Sequence, residues 1–269
     1  MTIAPRGRAA SLPAAERPEA VSRLRLLLAD SGTAPPDRQA AVDAPPIQAP
    51  QLLRPLLRGG QINRGSVVAL RADAPRFDGG STTYLALALA AAATAAGAWC
   101  GVLGFPSFGI AAAAGLGARL DRFLMLDHPG DRELDALMVL ADGCDLVLWN
   151  APHRLPMSDS RRVRARIRPA DRRRGAVLVV MAAQRQWLDA DLHLSTADPV
   201  WTGLGQGNGH LTGRLVTVSA SGRGAAGHEP SARVRLPASD GTMQEPDVAE
   251  LLGDVGQERG PQLWRQRPA

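Results

Sequence analysis

The chain has 269 residues, with 31 Lys or Arg against 26 Asp or Glu, a formal charge of +5. Its pI of about 10.6 leaves anionic partners open. Every basic residue other than histidine is arginine, the usage that a GC-rich coding sequence imposes, so any chemistry that needs a phosphate-gripping lysine is excluded.

The first residues, MTIAPRGRAASLPAAERPEA, carry no apolar h-region and do not read as a signal peptide. Residues 1–50 form an N-terminal tail in which Glu19 to Asp30 places Val21, Leu24, Leu26, Leu27 and Leu28 on one side of a short helix. A linker follows from Ser31 to Pro50, rich in proline (Pro35, Pro36, Pro45, Pro46, Pro50).

The folded core is expected over 51–240, where apolar runs alternate with helical stretches. SVVALRA (66–72) reads as a strand, Ser81 to Ala96 as a helix closed at Gly97, and AWCGVLGF (98–105) as a second strand. Ser107 to Gly117 is a small-residue helix and DRFLML (121–126) a third strand. Asp131 to Ala141 is a helix ended by Gly143, CDLVLWN (144–150) a fourth strand, 158–168 a helix, and AVLVVMA (176–182) a fifth strand. The runs are continuous rather than alternating, as parallel strands buried on both faces require. Crossovers of this length make βαβ units. After Gln186 come short strands with Gly-rich turns: LHLSTA (192–197), WTGL (201–204), RLVTVSA (214–220) and ARVRLP (232–237), read as antiparallel additions at the sheet's edge. GLGQGNG (203–209) reads as a hairpin loop. Residues 241–269 form a C-terminal tail with a short helical stretch, DVAELLGDV, before QLWRQRPA. The fold class is α/β, with a mostly parallel central sheet flanked by helices, antiparallel edge strands and flexible termini. The longest apolar stretch, Tyr84 to Gly97, is too short to span a bilayer, so a cytoplasmic location without membrane contact is expected.

DGGSTTYLALALAAAATAAG (78–97) has the shape of a phosphate-binding turn feeding a helix. A working G-x-x-x-x-G-K-[ST] loop wraps backbone N–H groups around phosphates and neutralises them with its lysine. Here Gly80 and Thr82 stand at the second glycine and the Mg²⁺-binding hydroxyl, but Pro75 stands at the first glycine and Ser81 at the lysine. Proline has no N–H and a fixed φ, so it cannot replace that glycine. The acidic positions fail too. CDLVLWN ends in Asn150, a poor partner for a hard dication, and Phe105 and Pro106 stand where a catalytic acid would be sought. No catalytic residue, nucleotide cofactor or metal is expected, and the plain role of GGSTT is to cap a helix. Anion binding at the dipole of that helix, or a site in which Arg76 replaces the lysine, are the alternatives.

The order of these segments resembles the core of RecA-type recombinases: RGGQINRGSVVALRA, GGSTTYLALALA, GVLGF, AGLGARLDRFLML with its Leu116-Gly117 turn, then DLVLWN. Within that superfamily it resembles the RecA-like accessory protein of the actinobacterial DNA-damage mutasome, the ImuA-prime type. The resemblance implies a RecA-like core over about 50–240 with a degraded nucleotide site. It also implies a non-catalytic role in damage-induced, error-prone translesion synthesis. The implied partner is a Y-family polymerase homologue (ImuB type) and, through it, an error-prone C-family polymerase. A RecA-like cell-division inhibitor of the SOS response is the alternative.

RRVRARIRPADRRR (161–174) supplies the DNA-binding candidates Arg161, Arg162, Arg164, Arg166, Arg168, Arg172, Arg173 and Arg174. On a helix, 161, 164 and 168 share one face with 162 and 166 nearby; a solvated helix face is the plainer reading. The run has no interleaved aromatics for base stacking. Trp149 and Trp99 read as core. Leu263, Trp264 and Arg265, in the polar tail, are the partner-binding candidates, since Trp and Arg dominate interface hot spots. The five histidines (128, 153, 193, 210, 228) lack metal-ligand spacing.

Overall fold

A computed structural model describes residues 45–72, 80–151, 155–168, 175–181, 190–204 and 209–247. Pro75, Arg76, Arg172, Arg173, Arg174, His153, Trp187, Leu263, Trp264 and Arg265 lie outside the described residues, as does the helix expected over 19–30.

Two short strands, β1 (Ile47–Gln48) and β2 (Gln61–Ile62), pair antiparallel beside the main sheet. That sheet comprises β3 (Val67–Ala72), β4 (Cys100–Leu103), β5 (Phe123–Leu126), β6 (Leu146–Asn150), β7 (Val177–Met181), β8 (Leu192–Leu204), β9 (Gly209–Ser221) and β10 (Ser231–Arg235). Its order is β10-β9-β8-β3-β7-β6-β4-β5. From β5 across to β8 every pairing is parallel; β8–β9 and β9–β10 are antiparallel. The helices are α1 (Ser81–Ala95), α2 (Ile110–Gly115), α3 (Glu133–Gly143) and α4 (Met157–Ile167). The expected α/β class, mostly parallel centre and antiparallel additions are all present.

The continuous apolar runs are explained by two cores, one on each face of the sheet. Leu146 and Leu148 of β6 and Val177 and Val179 of β7 pack with α1 and with Ala113 of α2. Their alternates, Val147, Trp149, Leu178 and Val180, pack with Ala136, Leu137 and Leu140 of α3 and Val163 and Ile167 of α4. A strand has a side-chain period of two, so burial on both faces requires both sets to be apolar. The chain moves from β3 over α1 to β4 on one face and returns through α3 and α4 to β6 and β7 on the other. Strand β3 stands between β7 and β8, and its carboxyl end leads toward α1. Trp149 and Trp99 are buried, and Cys100 and Cys144 are buried free thiols.

Three expectations are corrected. LHLSTA and WTGL are one strand, β8, not two. Between Ala197 and Val200 the register shifts, with Asp198 at φ 50 beside Pro199. The Asp-Pro pair makes a bulge in a continuing ladder rather than a break. The first half of β8 is also parallel to β3, so the antiparallel addition begins only at β9. Finally, Ile47 and Ala49 are buried and Gln244 exchanges backbone hydrogen bonds with Arg235, so the folded part reaches outside 51–240 at both ends. Among the described residues no helix is long and apolar enough to cross a membrane.

Candidate functional site

Helix α1 begins beyond the carboxyl end of β3. Gly80 is its N-cap, at φ 82 and ψ 13, and the Tyr84 N–H donates to the Gly80 carbonyl at 3.0 Å. A left-handed N-cap is cheap only for glycine, which is what stands at position 80. The N-cap thus falls within GGSTT, as expected, but it is the glycine, with no side-chain cap hydrogen bond. Ser81, at the lysine position, is fully buried. Thr82 is buried as well, its hydroxyl 3.3 Å from that of Thr196 on β8. Thr82 thus spends its hydroxyl on a contact with β8 inside the protein.

The two acidic positions are also committed to the fold. Asn150, the exposed last residue of β6, donates from Nδ2 to the Gly104 carbonyl at 3.0 Å. Phe105 is buried and meets Phe108 edge to face at 5.8 Å, and Phe108 meets Phe123 at the same distance. An aromatic cluster therefore fills the place where a catalytic acid was sought. One carboxylate does approach this edge, and the sequence reading missed it. Glu133 opens α3, and its Oε1 accepts a hydrogen bond from Trp149 Nε1 at 2.8 Å. It serves the buried indole, whose N–H needs an acceptor.

The second missed residue is Arg214 on β9, only 1% exposed. Its guanidinium carbon lies 5.3 Å from the centre of the Tyr84 ring and 4.9 Å from that of Trp201, and Nε donates to the Leu236 carbonyl at 2.9 Å. A side chain added at Gly80 would meet Arg214 Nη1 at 3.8 Å. A cation thus stands beside the N-terminus of α1 although the loop lysine is gone. It comes from a strand distant in the chain, across the ladder that opposes Trp201 to Arg214. No local pattern announces such a pair; only the β8–β9 register does.

The basic run divides. Val163 and Ile167 anchor α4 to the sheet. Arg164 turns inward to Asp191 at 3.3 Å, where Arg223 also binds at 2.6 Å and the Val67 N–H donates at 3.1 Å. Arg168 lies against Gly65, whose added Cβ would meet it at 3.3 Å. Arg166 pairs with Asp142 of α3. Arg161 and Arg162 are exposed, Arg162 reaching Asp159 only at 3.8 Å. The expected shared face of 161, 164 and 168 is therefore split: two of its members hold the helix down and one faces solvent. Among the described residues no group of three His, Cys, Asp or Glu could hold a metal ion. Burial, with Arg71 beside it, lowers the pKa of His193 on β8, and burial pushes the Cys100 thiol well up.

With this geometry in place, comparison with known proteins identifies the same stretch of chain. Residues 55–188, from the turn before β2 to beyond β7, match the family model described as the MT3502 N-terminal domain. A curated relative, the uncharacterized protein Rv3395c of Mycobacterium tuberculosis, is 35% identical over 99 residues. That alignment spans 36% of this chain and 46% of the relative, less than half the relative's length. Over residues 55–188 the chain is thus similar to the MT3502 N-terminal domain, and over 99 residues to a mycobacterial protein.

Proposed function

We propose that this protein is a non-catalytic RecA-like adaptor in DNA-damage-induced, error-prone translesion synthesis. It binds a Y-family polymerase homologue and, through it, an error-prone C-family polymerase. The observation that carries this reading is the state of the start of α1 and of the two acidic positions. Gly80 caps α1 and Ser81 is buried, while Thr82, Asn150 and Phe105 are spent on internal contacts. A phosphoryl-transfer site needs groups held open toward charge that develops during reaction. Here those positions contribute to folding instead. The mycobacterial relative agrees with the actinobacterial branch of the resemblance. Arg161 and Arg162, on the outer side of α4, are the groups through which such an adaptor would touch a phosphate backbone.

The test is affinity purification of the tagged protein from DNA-damaged cells. A co-purifying Y-family polymerase homologue is the expected result; a cell-division protein, or no protein partner, overturns the assignment. Thr82→Ala is expected to cost about 1 kcal/mol of stability through the lost hydroxyl contact and to leave damage-induced mutagenesis intact. Loss of mutagenesis in a folded Thr82→Ala protein would return the start of α1 to nucleotide chemistry.

A further inference from the structure

The two edges of the main sheet are finished differently. On one side the outermost strand, β10, carries Arg233 and Arg235, and Gln244 covers its end by pairing with Arg235. Charge and cover keep natural edge strands from pairing with other chains. On the other side the outermost strand, β5, reads Phe-Leu-Met-Leu, with no charge, proline or bulge. It pairs with β4, where the Gly104 N–H donates to the Leu126 carbonyl. In a parallel ladder a residue turns both its N–H and its carbonyl to one side, and the next residue turns both to the other. Leu124 and Leu126 therefore face β4, while Phe123 and Met125 face outward. The Phe123 N–H is already donated to the Leu120 carbonyl. Among the described residues, no other segment hydrogen-bonds the outward N–H and carbonyl of Met125, and Met125 is 39% exposed.

We propose that β5 is the edge at which two copies of this chain join, antiparallel, about a twofold axis through Met125. Centred there, Met125 exchanges both of its backbone bonds with its own counterpart. The Phe123 carbonyl of each copy then accepts from the Asp127 amide of the other. No bond is asked of the Phe123 N–H, as centring on Leu124 would require. The occupant is a second copy because the stretch is self-complementary in charge. Arg119 and Arg122, outweighing Asp121, precede the strand, and Asp127 and Asp131 follow it. Antiparallel pairing lays the positive end of each copy against the negative end of the other. The apolar strand lies between, and the twofold consumes both open edges, so assembly closes at two copies. This pairing does not depend on the adaptor role.

The test uses the full chain carrying Met125→Cys under mild oxidation. The native Cys100 and Cys144 are buried and do not compete. Residues that exchange both bonds across an antiparallel pair stand about 5.5 Å apart at Cα, within reach of a disulfide. Leu120→Cys is the control: Leu120 is more exposed, at 45%, but its two copies would stand roughly 30 Å apart. A disulfide joining two chains is expected to form at least tenfold faster at 125 than at 120. No rate advantage at 125 overturns the proposal. Sedimentation gives an independent reading. The unaltered chain is expected to form a dimer whose Kd rises at least tenfold in Met125→Asp, a change that the exposed side chain lets the fold tolerate. A chain that stays monomeric, one that grows into open polymers, or a dimer indifferent to Met125→Asp overturns the pairing.

Discussion

Helices α1 and α4 lie on opposite faces of one sheet and are held to it in opposite ways. Helix α1 is apolar nearly all round, and most of its residues, from Ser81 and Thr82 through Leu85–Ala91 to Ala93 and Thr94, are buried. Such a helix belongs inside a fold and has little freedom to change. Helix α4 buries only Val163 and Ile167 and is otherwise fastened by charge, through Arg164 to Asp191 and Arg166 to Asp142. The first helix is held to the sheet mainly by apolar packing. The second keeps a charged outer surface that substitutions can alter at little structural cost. A scaffold can lose chemistry at one element and remain adaptable at the other.

Four measurements break or sharpen this contrast. Leu87→Ala in α1 is expected to cost about 2–5 kcal/mol in urea unfolding, the range for a buried leucine with its cavity. A value under 1 kcal/mol would mean that the α1 core is loosely filled. Asp191→Asn removes the charge and one of the two acceptor oxygens that serve Arg164, Arg223 and the Val67 amide. It is expected to cost about 1–3 kcal/mol, as for hydrogen bonds to charged groups. If Asp191→Asn is silent, the Arg164–Asp191 pair does not help to hold α4.

A pH series is expected to give a smaller effect. The folded state disfavours protonated His193, so the unfolded chain binds the proton more readily. The contribution is fully present above the unfolded histidine pKa of about 6.5 and is lost as pH falls toward the lower folded value. The urea midpoint should therefore drop between pH 7 and 5 and drop less in His193→Gln; equal slopes would count against this residue. The smallest expected change is Arg161→Glu with Arg162→Glu, within about 0.5 kcal/mol in stability because both side chains are exposed. The same pair should weaken single-stranded DNA binding and flatten its salt dependence. Destabilisation comparable to Leu87→Ala would end the contrast between the two helices.

Much of the parallel core was legible, since burial on both faces writes continuous apolar runs such as LVLW and VLVVM into the sequence. The absent lysine and acids were equally legible, being matters of residue identity. What escaped depends on geometry between distant segments. Asp198-Pro199 reads locally as a strand end, yet the β9 ladder carries β8 past it. Arg214 has no local signature, because its place beside Gly80 follows from the pairing that opposes it to Trp201. Glu133 reads as an ordinary helix-start acid until Trp149, on the strand after it, brings an indole N–H within reach. In the basic run the arginines could be counted, but sorting anchors from exposed charges required Asp191 and Asp142, which lie on other elements.

Gly175 meets the backbone of two other segments at once: an added Cβ would lie 2.5 Å from the Ile167 carbonyl oxygen and 2.8 Å from the Gly65 nitrogen. Arg168 packs on the same Gly65. Arg168 and Gly175 therefore meet Gly65 at a single junction. For evolution this is a permissive insertion point. Because Arg168 and Gly175 already meet there, doubling the length of a loop between them adds only about 0.6 kcal/mol of closure cost. Gly175 itself admits no larger residue without moving backbone, so any change made at this junction has to leave it glycine.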